Sequence, residues 1–404
     1  MSSVIETPGR IEEHVRGIVP PQKHSFQSPL NFSRRIPELD GLRGVAIIVF
    51  LFFHYIREAI AARPPELLGY LHESTRLLWS GVDLFFVISG FLIAGILLDV
   101  RDSPNYFATF YIRRFCRIFP IYFLFLGIVG LAYRYVFGPV GAPLNWIFYT
   151  NLPPYSFFSF TQNIWMAKVN ILGPPILGIT WSLAIEEQFY LVLPAIIRFV
   201  RRSALPYVFI AGIVIAPLVR IFIAARYPSH GWATYVLLPC RMDSLFLGAL
   251  CAYWVREPGL WNGLAKHRET MWLVFFALIL GMPALNNRGV PLTFLYVTFG
   301  YGWMSLFYST FLMLTLTNTP GVFGRIMRWN WLARLGEIGY CVYLFHVGIY
   351  IFCMLLLAGH GWRLASWSDF GVTLIALAIT LGFAKLSWKY FEKPIVKWGH
   401  RWHY

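Results

Sequence analysis

Charged side chains are scarce in this 404-residue chain, where they make up 13% of the sequence. Soluble domains carry about 25% charged residues, so this chain cannot cover a water-facing surface of ordinary polarity. Hydrophobic residues make up 57% of the chain, and the mean hydropathy is +0.58. These values exclude intrinsic disorder and a soluble nucleic-acid-binding protein. They predict a protein whose helices lie in a lipid bilayer.

Acidic residues and cysteines are also few. The chain has 19 Asp and Glu against 34 Lys and Arg. No basic stripe stands apart from the apolar segments, so the charge excess is interpreted as a topology signal and not as nucleic-acid binding. The 5 cysteines form no CxxC pair. A disulfide framework and a zinc site are therefore not indicated, and no metal or bound cofactor is predicted.

Several familiar motifs are missing from the sequence. It has no GxSxG elbow, no HExxH helix and no GxxxxGK[ST] loop, which argues against the corresponding hydrolase, metalloprotease and nucleotide-binding sites. It also lacks a histidine and an aspartate separated by four residues (HxxxxD), the pattern of soluble glycerolipid acyltransferases. No secretory signal peptide is visible, because the first apolar segment begins near Gly41 after a polar leader.

Long apolar segments dominate what is present. A bilayer core about 30 Å thick needs about 20 apolar residues per helix. The stretches that satisfy this within a few residues are 41–57, 78–99, 115–137, 178–198, 206–226, 235–255, 271–285, 293–316, 337–357 and 371–391. The predicted fold is an all-α, polytopic membrane bundle of about ten transmembrane helices.

The distribution of Lys and Arg predicts the orientation of this bundle. With both termini in the cytoplasm, most of the 34 basic residues lie on the cytoplasmic side. We therefore expect residues 1–35 to be a flexible cytoplasmic tail, 36–398 to be the membrane domain and 399–404 to be a cytoplasmic C-terminal tail. The predicted location is the cytoplasmic (plasma or inner) membrane.

One aromatic segment, 144–160, does not fit the ten spans. It is interrupted by Pro153 and Pro154. If it crossed the membrane fully, every later loop would change sides and the charge bias would largely disappear. We therefore predict one long extracytoplasmic loop over 138–177, with a re-entrant or interfacial aromatic segment.

Ionisable residues inside the predicted spans are the most informative feature, because they are costly in lipid and usually face a cavity or a partner. Arg43 and His54 are eleven residues apart in the first span. At 100° per residue this is about three turns, so both share one face, about 16 Å apart along the axis. They form either a snorkelling arginine and an interfacial histidine, or an anion site and a proton-transfer group in one polar lane.

A basic cluster follows the second span. Arg114 and Arg117 are three residues apart and share a helical face, with Arg113 beside them. They are either ordinary positive-inside charges or a fork for phosphate groups, which arginine donors match well.

Carboxylates occur in the fourth and sixth spans. Glu186 and Glu187 are adjacent, so their side chains diverge and cannot both avoid the bundle interior. They either pair with Arg241 or another buried cation, or one of them orients His54 or an acceptor hydroxyl. Arg241 and Asp243 lie close together in the sixth span, where internal pairing is favoured.

Further polar positions complete the candidates. Tyr343 and His346 lie in the ninth span, where His346 is either a hydrogen-bonded core histidine or part of a site. Asp83 opens the second span and suits an N-cap carboxylate as well as a site residue.

Taken together, these segments resemble the acyltransferase-3 family of integral membrane O-acyltransferases over roughly residues 36–398. The matching pieces, in the family's order, are Leu39-Asp40-Gly41-Leu42-Arg43-Gly44 through His54, Gly81-Val82-Asp83-Leu84-Phe85-Phe86 through Phe91, Arg113-Arg114 through Arg117 and Pro120, Trp181-Ser182-Leu183 with Glu186-Glu187-Gln188-Phe189-Tyr190, Arg241-Met242-Asp243-Ser244, Gly339-Tyr340 through His346, and Phe391-Glu392-Lys393-Pro394. Each piece alone is modest, but seven in order are specific.

The resemblance implies transfer of an acyl group, with acetyl favoured, from cytoplasmic acyl-CoA to a hydroxyl of a glycan or a secondary metabolite. The family's essential arginine and histidine fall on Arg43 and His54, and its arginine motif falls on Arg114 and Arg117, with Arg113 grouped among the donor-binding residues. Some members carry a hydrolase-like domain after the last span. This sequence ends at Tyr404, so acceptor handling is expected from the 138–177 loop or from partners.

On this hypothesis His54 is the general base and Arg43, Glu186 and Glu187 assist it. The expected substrate-facing or pore-lining residues are Asp40, Asp83, Trp181, Ser182, Arg241, Asp243, Tyr343 and His346. The competing hypothesis is a transporter or flippase for a glycan or lipid-linked intermediate, since buried Arg, Glu and His also suit alternating access. The absence of repeated halves in the sequence argues against that alternative.

Overall fold

The structure is a computed structural model that describes residues 30, 35–57, 59–60, 72, 75–137, 151–285, 292–361 and 363–404. Within these residues the chain is helical, and no strand forms beyond one isolated bridge between Ile60 and Leu364. The predicted all-α fold is confirmed. The predicted tail at 1–35 lies almost entirely outside the described residues.

The helices fall into two groups along the chain. The first group is α1 Pro37–Phe52, α2 Gly81–Asp99, α3 Tyr106–Ala132, α4 Tyr155–Phe158, α5 Gln162–Val169, α6 Pro175–Gly178 and α7 Trp181–Phe199. The second group is α8 Leu205–Arg226, α9 Gly231–Val236, α10 Leu238–Trp254, α11 Pro258–Lys266, α12 Arg268–Leu285, α13 Tyr301–Thr317, α14 Val322–Met327, α15 Asn330–Cys353, α16 Trp367–Ser387 and α17 Lys393–Gly399. Within the described residues, five short π-helical segments adjoin these helices, at Phe53–Arg57, Tyr133–Phe137, Tyr296–Gly300, Met354–Ala358 and Trp388–Glu392.

Nine helical stretches within the described residues are long and apolar enough to cross a membrane. They correspond to nine of the ten predicted spans. The remaining predicted span, 293–316, is helical from Tyr296 to Thr317. This helix is less apolar because it carries several Tyr, Ser and Thr residues. Ser305 and Ser309 among them are buried, so these two hydroxyl groups face the bundle and not the lipid.

The centre of the bundle is the close contact between α2 and α10. Both helices are buried over most of their length. Glycines permit the contact, because a Cβ on Gly90 would collide with the backbone of Leu245, and a Cβ on Gly248 would collide with the backbone of Val87. Small residues that let helix backbones approach are a common basis of packing in membranes.

A second close pair of helices, α1 and α15, brings two of the polar segments of the sequence side by side. Gly336 on α15 faces the backbone of Asp40 on α1, with the Arg43 side chain next to it. Any larger residue at this position would push α1 away. The pair therefore holds Arg43 against α15 at a fixed distance.

The described part of the predicted 138–177 loop contains α4 and α5, and residues 138–150 lie outside the described residues. The ring of Phe160 lies 5.1 Å from Phe119 and 4.8 Å from Tyr122, near the middle of α3. Asn163 donates to the side chain of Gln188 on α7 at 3.3 Å. This part of the loop therefore reaches into the bundle beside α3 and α7.

Candidate active site

A cavity of about 130 Å³ lies between α1, α2, α3, α7 and α15. It is lined by Arg43, Val82, Phe85, Phe86, Ile88, Ser89, Arg114, Arg117, Ile118, Ser182, Leu183, Glu186, Tyr190, Gly336, Gly339, Tyr340 and Tyr343. Many of these residues come from the sequence segments singled out above. The fold thus collects polar groups from five separate helices around one space.

Three arginines share this cavity. Arg43 lies 3.2 Å from Asp40, and Asp40 also accepts a hydrogen bond from Arg35 at 2.6 Å. That bond raises the pKa of Arg35. Arg114 and Arg117 have no carboxylate within ion-pair distance among the described residues. Two guanidinium groups without a direct ion pair on one cavity suit an anionic ligand.

Aromatic rings hold these two arginines in place. The Arg114 guanidinium lies 5.8 Å from the ring centroid of Tyr190, and that of Arg117 lies 4.9 Å from the ring of Trp388. Arg117 also donates to the carbonyl of Glu337 at 3.4 Å. Such contacts orient a guanidinium without neutralising it.

The neighbouring Arg113 points elsewhere. It donates to the carbonyl oxygen of Trp402 at 2.7 Å and lies 4.8 Å from the ring centroid of Tyr404. It does not line the cavity. The structure thus separates Arg113 from Arg114, which sequence adjacency had grouped together.

The two adjacent glutamates diverge as their spacing predicts. Glu186 lines the cavity and accepts hydrogen bonds from Ser89 at 2.9 Å and from the Tyr190 hydroxyl at 3.0 Å. Glu187 lines a separate cavity of about 550 Å³ on the far side of Arg114. One buried oxygen of Glu187 has no hydrogen-bond partner among the described residues.

Ser182 and Tyr343 line the cavity, and their hydroxyl oxygens are 2.5 Å apart. Tyr343 also donates to the carbonyl of Ile179. Trp181, next in sequence to Ser182, does not line the cavity. It packs instead on Tyr235 with ring centroids 4.4 Å apart.

Two histidines lie close to Tyr343 but do not line the cavity. His54 and His346 meet edge to face with ring centroids 4.9 Å apart. The ring of Phe50 stands between them and the cavity, at 4.8 Å from Tyr343, 4.3 Å from His54 and 4.5 Å from His346. Arg43 lines the cavity, whereas His54 does not. The ring of Phe50 lies between His54 and Tyr343, which is a lining residue.

The backbone contacts of the histidines define which nitrogen carries the lone pair. His54 Nδ1 lies 3.0 Å from the Phe50 carbonyl, and His346 Nδ1 lies 2.8 Å from the Tyr343 carbonyl. An Nδ1–H that donates to these oxygens puts the lone pair on Nε2. The Nε2 of His346 is buried and has no hydrogen-bond partner among the described residues.

The remaining predicted residues form buried ion pairs away from the cavity. Arg241 contacts Asp83 at 2.6 Å, and Ser244 donates to the same carboxylate at 2.9 Å. Asp243 contacts Arg220 at 2.7 Å. Arg241 on α10 thus pairs with Asp83 on α2. Asp243, also on α10, pairs with Arg220 on α8.

Three residues at the site had no role in the sequence analysis. Ser89 and Tyr190 hydrogen-bond Glu186, and Phe50 separates the cavity from the histidines. Ser89 and Tyr190 stand within the motif segments, and a hydroxyl inside an apolar span was a usable signal. Phe50 carried no such signal, because a phenylalanine in an apolar span is unremarkable by composition.

No group of three or more His, Cys, Asp or Glu able to hold a metal ion occurs within the described ranges. The fold and the site together define a polytopic helical membrane protein with an internal, arginine-lined cavity that ends near a pair of histidines.

Comparison with known proteins identifies the family. The chain belongs to the family described as "Acyltransferase domain", whose model matches residues 36–388. This confirms the family predicted from the sequence motifs.

The curated proteins similar to this chain include two from Staphylococcus aureus. O-acetyltransferase OatA of strain NCTC 8325 / PS 47 is 25% identical over 389 residues, which cover 91% of this chain and 58% of that protein. A putative O-acetyltransferase of strain COL is 24% identical over 394 residues, again covering 91% of this chain and 58% of the relative. The chain therefore spans less than two thirds of the length of these relatives. No solved structure matches this chain.

Proposed function

We propose that this protein is a membrane O-acyltransferase that moves an acyl group, with acetyl favoured, from acyl-CoA to a hydroxyl of a glycan or a secondary-metabolite acceptor. The observation that carries the proposal is the cavity onto which Arg43, Arg114 and Arg117 converge, two of them without ion pairs in the described part of the chain. The family membership and the names of the relatives support the reaction class.

In this proposal the phosphates of coenzyme A bind at the arginine end of the cavity. Charge-assisted hydrogen bonds from guanidinium to phosphate are strong and geometrically specific. Asp40 positions Arg43, while aromatic rings position Arg114 and Arg117. Arg113 instead contacts the C-terminal residues. The distribution of basic residues supports a cytoplasmic position for this end of the cavity and for both termini.

The thin pantetheine arm then carries the thioester past Tyr343 toward His54. This route requires the Phe50 ring to move aside, because it fills the space between them. The Nε2 lone pair of His54 accepts the proton of the acceptor hydroxyl as its oxygen attacks the thioester carbonyl carbon. The C–S bond then breaks, an ester forms, and the coenzyme A thiolate takes up a proton.

Glu186 and its partners complete the site. Its carboxylate lies in the same cavity as Arg114 and is fixed by Ser89 and Tyr190. In this proposal the negative charge of Glu186 offsets part of the positive charge of the arginines near the thioester. His346 packs beside the imidazole of His54 and helps to position it. Glu187 faces the second cavity, so any role for it passes through Arg114.

The proposal is tested with purified protein in membrane vesicles and acetyl-CoA labelled in the acetyl group, by measuring base-labile label on hydroxyl-bearing acceptors. We expect His54→Ala to bind the donor normally and to transfer acetyl about 10²–10⁴-fold more slowly, the usual contribution of a general base. His267→Ala, an exposed histidine between α11 and α12, is the matched control. Transfer by His54→Ala at the wild-type rate would remove the assignment, and a wild-type protein that never consumes acetyl-CoA would favour the transporter alternative.

A further inference from the structure

An apolar groove of about 1520 Å³ runs along the outside of the bundle between α1, α15 and α16. Its walls are aliphatic and aromatic side chains that face the surroundings. Ile48 is 38% exposed, Phe52 is 37% exposed and Leu374 is 52% exposed. These helices are candidate membrane spans, so the groove opens to lipid.

One end of this groove is strongly basic. Arg334, Lys385, Lys389 and Lys393 all line it and are all exposed. None of the four has an ion pair within the described ranges. The one acidic residue of the groove, Glu337, is already paired with Arg35 at 2.6 Å. Four cations therefore face one end of the groove without compensation.

The same end carries exposed tryptophans. Trp329 is 51% exposed and Trp331 is 55% exposed, and their ring centroids lie 6.2 Å apart. Trp at the boundary between hydrocarbon and headgroups is a general feature of membrane proteins. The basic end therefore lies at headgroup level, and the apolar walls extend into the hydrocarbon.

The length of the groove matches one leaflet. From Lys385 to Thr373 along α16, twelve residues rise about 18 Å. Half of a bilayer core is about 15 Å. A lipid with its phosphate among the lysines can therefore lay an acyl chain along the full apolar part of the groove.

We propose that this groove binds one anionic glycerophospholipid, with its phosphate and headgroup at Arg334, Lys385, Lys389 and Lys393 and an acyl chain against Leu377 and Leu381. Charge complementarity selects the occupant: four unpaired cations favour a lipid with net negative charge over a zwitterionic one. The inference does not depend on the reaction proposed above.

The basic residues could instead be ordinary topology charges, and the chain offers a matched control. Lys397 belongs to the same basic C-terminal segment and is exposed, but it does not line the groove. A site in the groove requires Lys385 and Lys389 specifically, whereas a general surface potential treats Lys397 in the same way.

The test is native mass spectrometry of the full chain in detergent, titrated with phosphatidylglycerol or phosphatidylcholine. We expect one saturable phosphatidylglycerol, bound at least tenfold more tightly than phosphatidylcholine. The double variant Lys385→Gln with Lys389→Gln should weaken it by about 25-fold, since each surface cation contributes about fivefold. Leu377→Trp, which fills the apolar wall, should weaken both lipids, and Lys397→Gln should weaken neither.

Three results would overturn the proposal. Equal affinity for the two lipids would remove the charge selection. If Lys397→Gln weakened phosphatidylglycerol binding as much as the double variant does, the basic residues would act only through a general surface potential. Displacement of phosphatidylglycerol by one coenzyme A would assign the lysines to the donor. The thermal unfolding midpoint of each variant shows whether it is folded.

Discussion

Breaking the buried ion pair between Arg241 and Asp83 should destabilise this protein strongly. The guanidinium lies 2.6 Å from the carboxylate, and both side chains are 0% exposed. The arginine is also enclosed by rings, with Tyr301 at 4.2 Å. Asp83→Leu or Arg241→Met each leaves one charge buried without its partner, which costs about 3–5 kcal/mol.

Removing both charges should have a smaller effect than removing either. Buried pairs replaced by apolar residues of similar size are often neutral in stability. Ser244 loses its bond to Asp83 in the double variant, but its hydroxyl remains 2.6 Å from that of Ser305. We therefore expect the double variant to recover most of the loss, which gives a large coupling energy.

The measurement is a double-mutant cycle by unfolding in mixed detergent and dodecyl sulfate micelles. The control is the ion pair between Arg328 and Glu38, which are 3.7 Å apart, with the arginine side chain 42% exposed. This pair should contribute about 0–1 kcal/mol to the free energy of unfolding. Single changes at Arg241 or Asp83 that cost less than this, or effects that simply add in the double variant, would refute the reasoning. Acetyl-CoA binding by the double variant should persist, because neither residue lines the cavity.

Two further predictions concern the cavity and the packing of the helices. Phe50→Ala removes the ring between Tyr343 and His54, so the rate of transfer from longer acyl-CoAs should rise relative to that from acetyl-CoA in competition assays. The substitution should lower the free energy of unfolding by about 3–5 kcal/mol. An unchanged donor preference would show that Phe50 does not limit access. Gly248→Val places a side chain against the backbone of α2 and should abolish the monodisperse folded peak in size-exclusion chromatography. Gly263→Val should retain that peak, because the space around its Cβ position is open. Equal behaviour of the two variants would contradict the close α2–α10 contact.

Much of the fold could be predicted because each membrane-spanning helix must be long and apolar. Hydropathy therefore located the helices well. It was weakest at 293–316, where Ser305 and Ser309 are polar but buried. A linear scale cannot distinguish polarity that faces the bundle from polarity that faces lipid.

The partners of the buried charges could not be predicted from spacing. Spacing along the chain favours internal pairing of Arg241 with Asp243, two residues apart, and leaves a pairing of Arg241 with Glu186 or Glu187 as an alternative. The structure pairs Arg241 with Asp83 and Asp243 with Arg220 instead. These pairings depend on how α2, α8 and α10 pack against one another. The spacing of residues along a single helix does not reveal that packing.

The polar lane of the first span shows a different limit. Arg43 and His54 share a face at eleven residues' spacing only where the helix is an α-helix throughout. The chain is π-helical over Phe53–Arg57, which changes the angle per residue just where His54 stands. Such π-helical turns occur often at functional sites. The contact of His54 with His346 joins two distant helices and had no signal in the first span.

The most direct test of the account is acetyl-CoA binding to protein in nanodiscs, compared between Arg114→Gln and Arg113→Gln. The two arginines are adjacent, but only Arg114 lines the cavity, whereas Arg113 contacts Trp402 and Tyr404. We expect Arg114→Gln to weaken binding about tenfold or more, since a hydrogen bond to a charged group contributes about 1.5–3 kcal/mol. Arg113→Gln should bind as the wild type does. Equal losses in both variants, or unchanged binding in Arg114→Gln, would contradict the placement of the donor in this cavity.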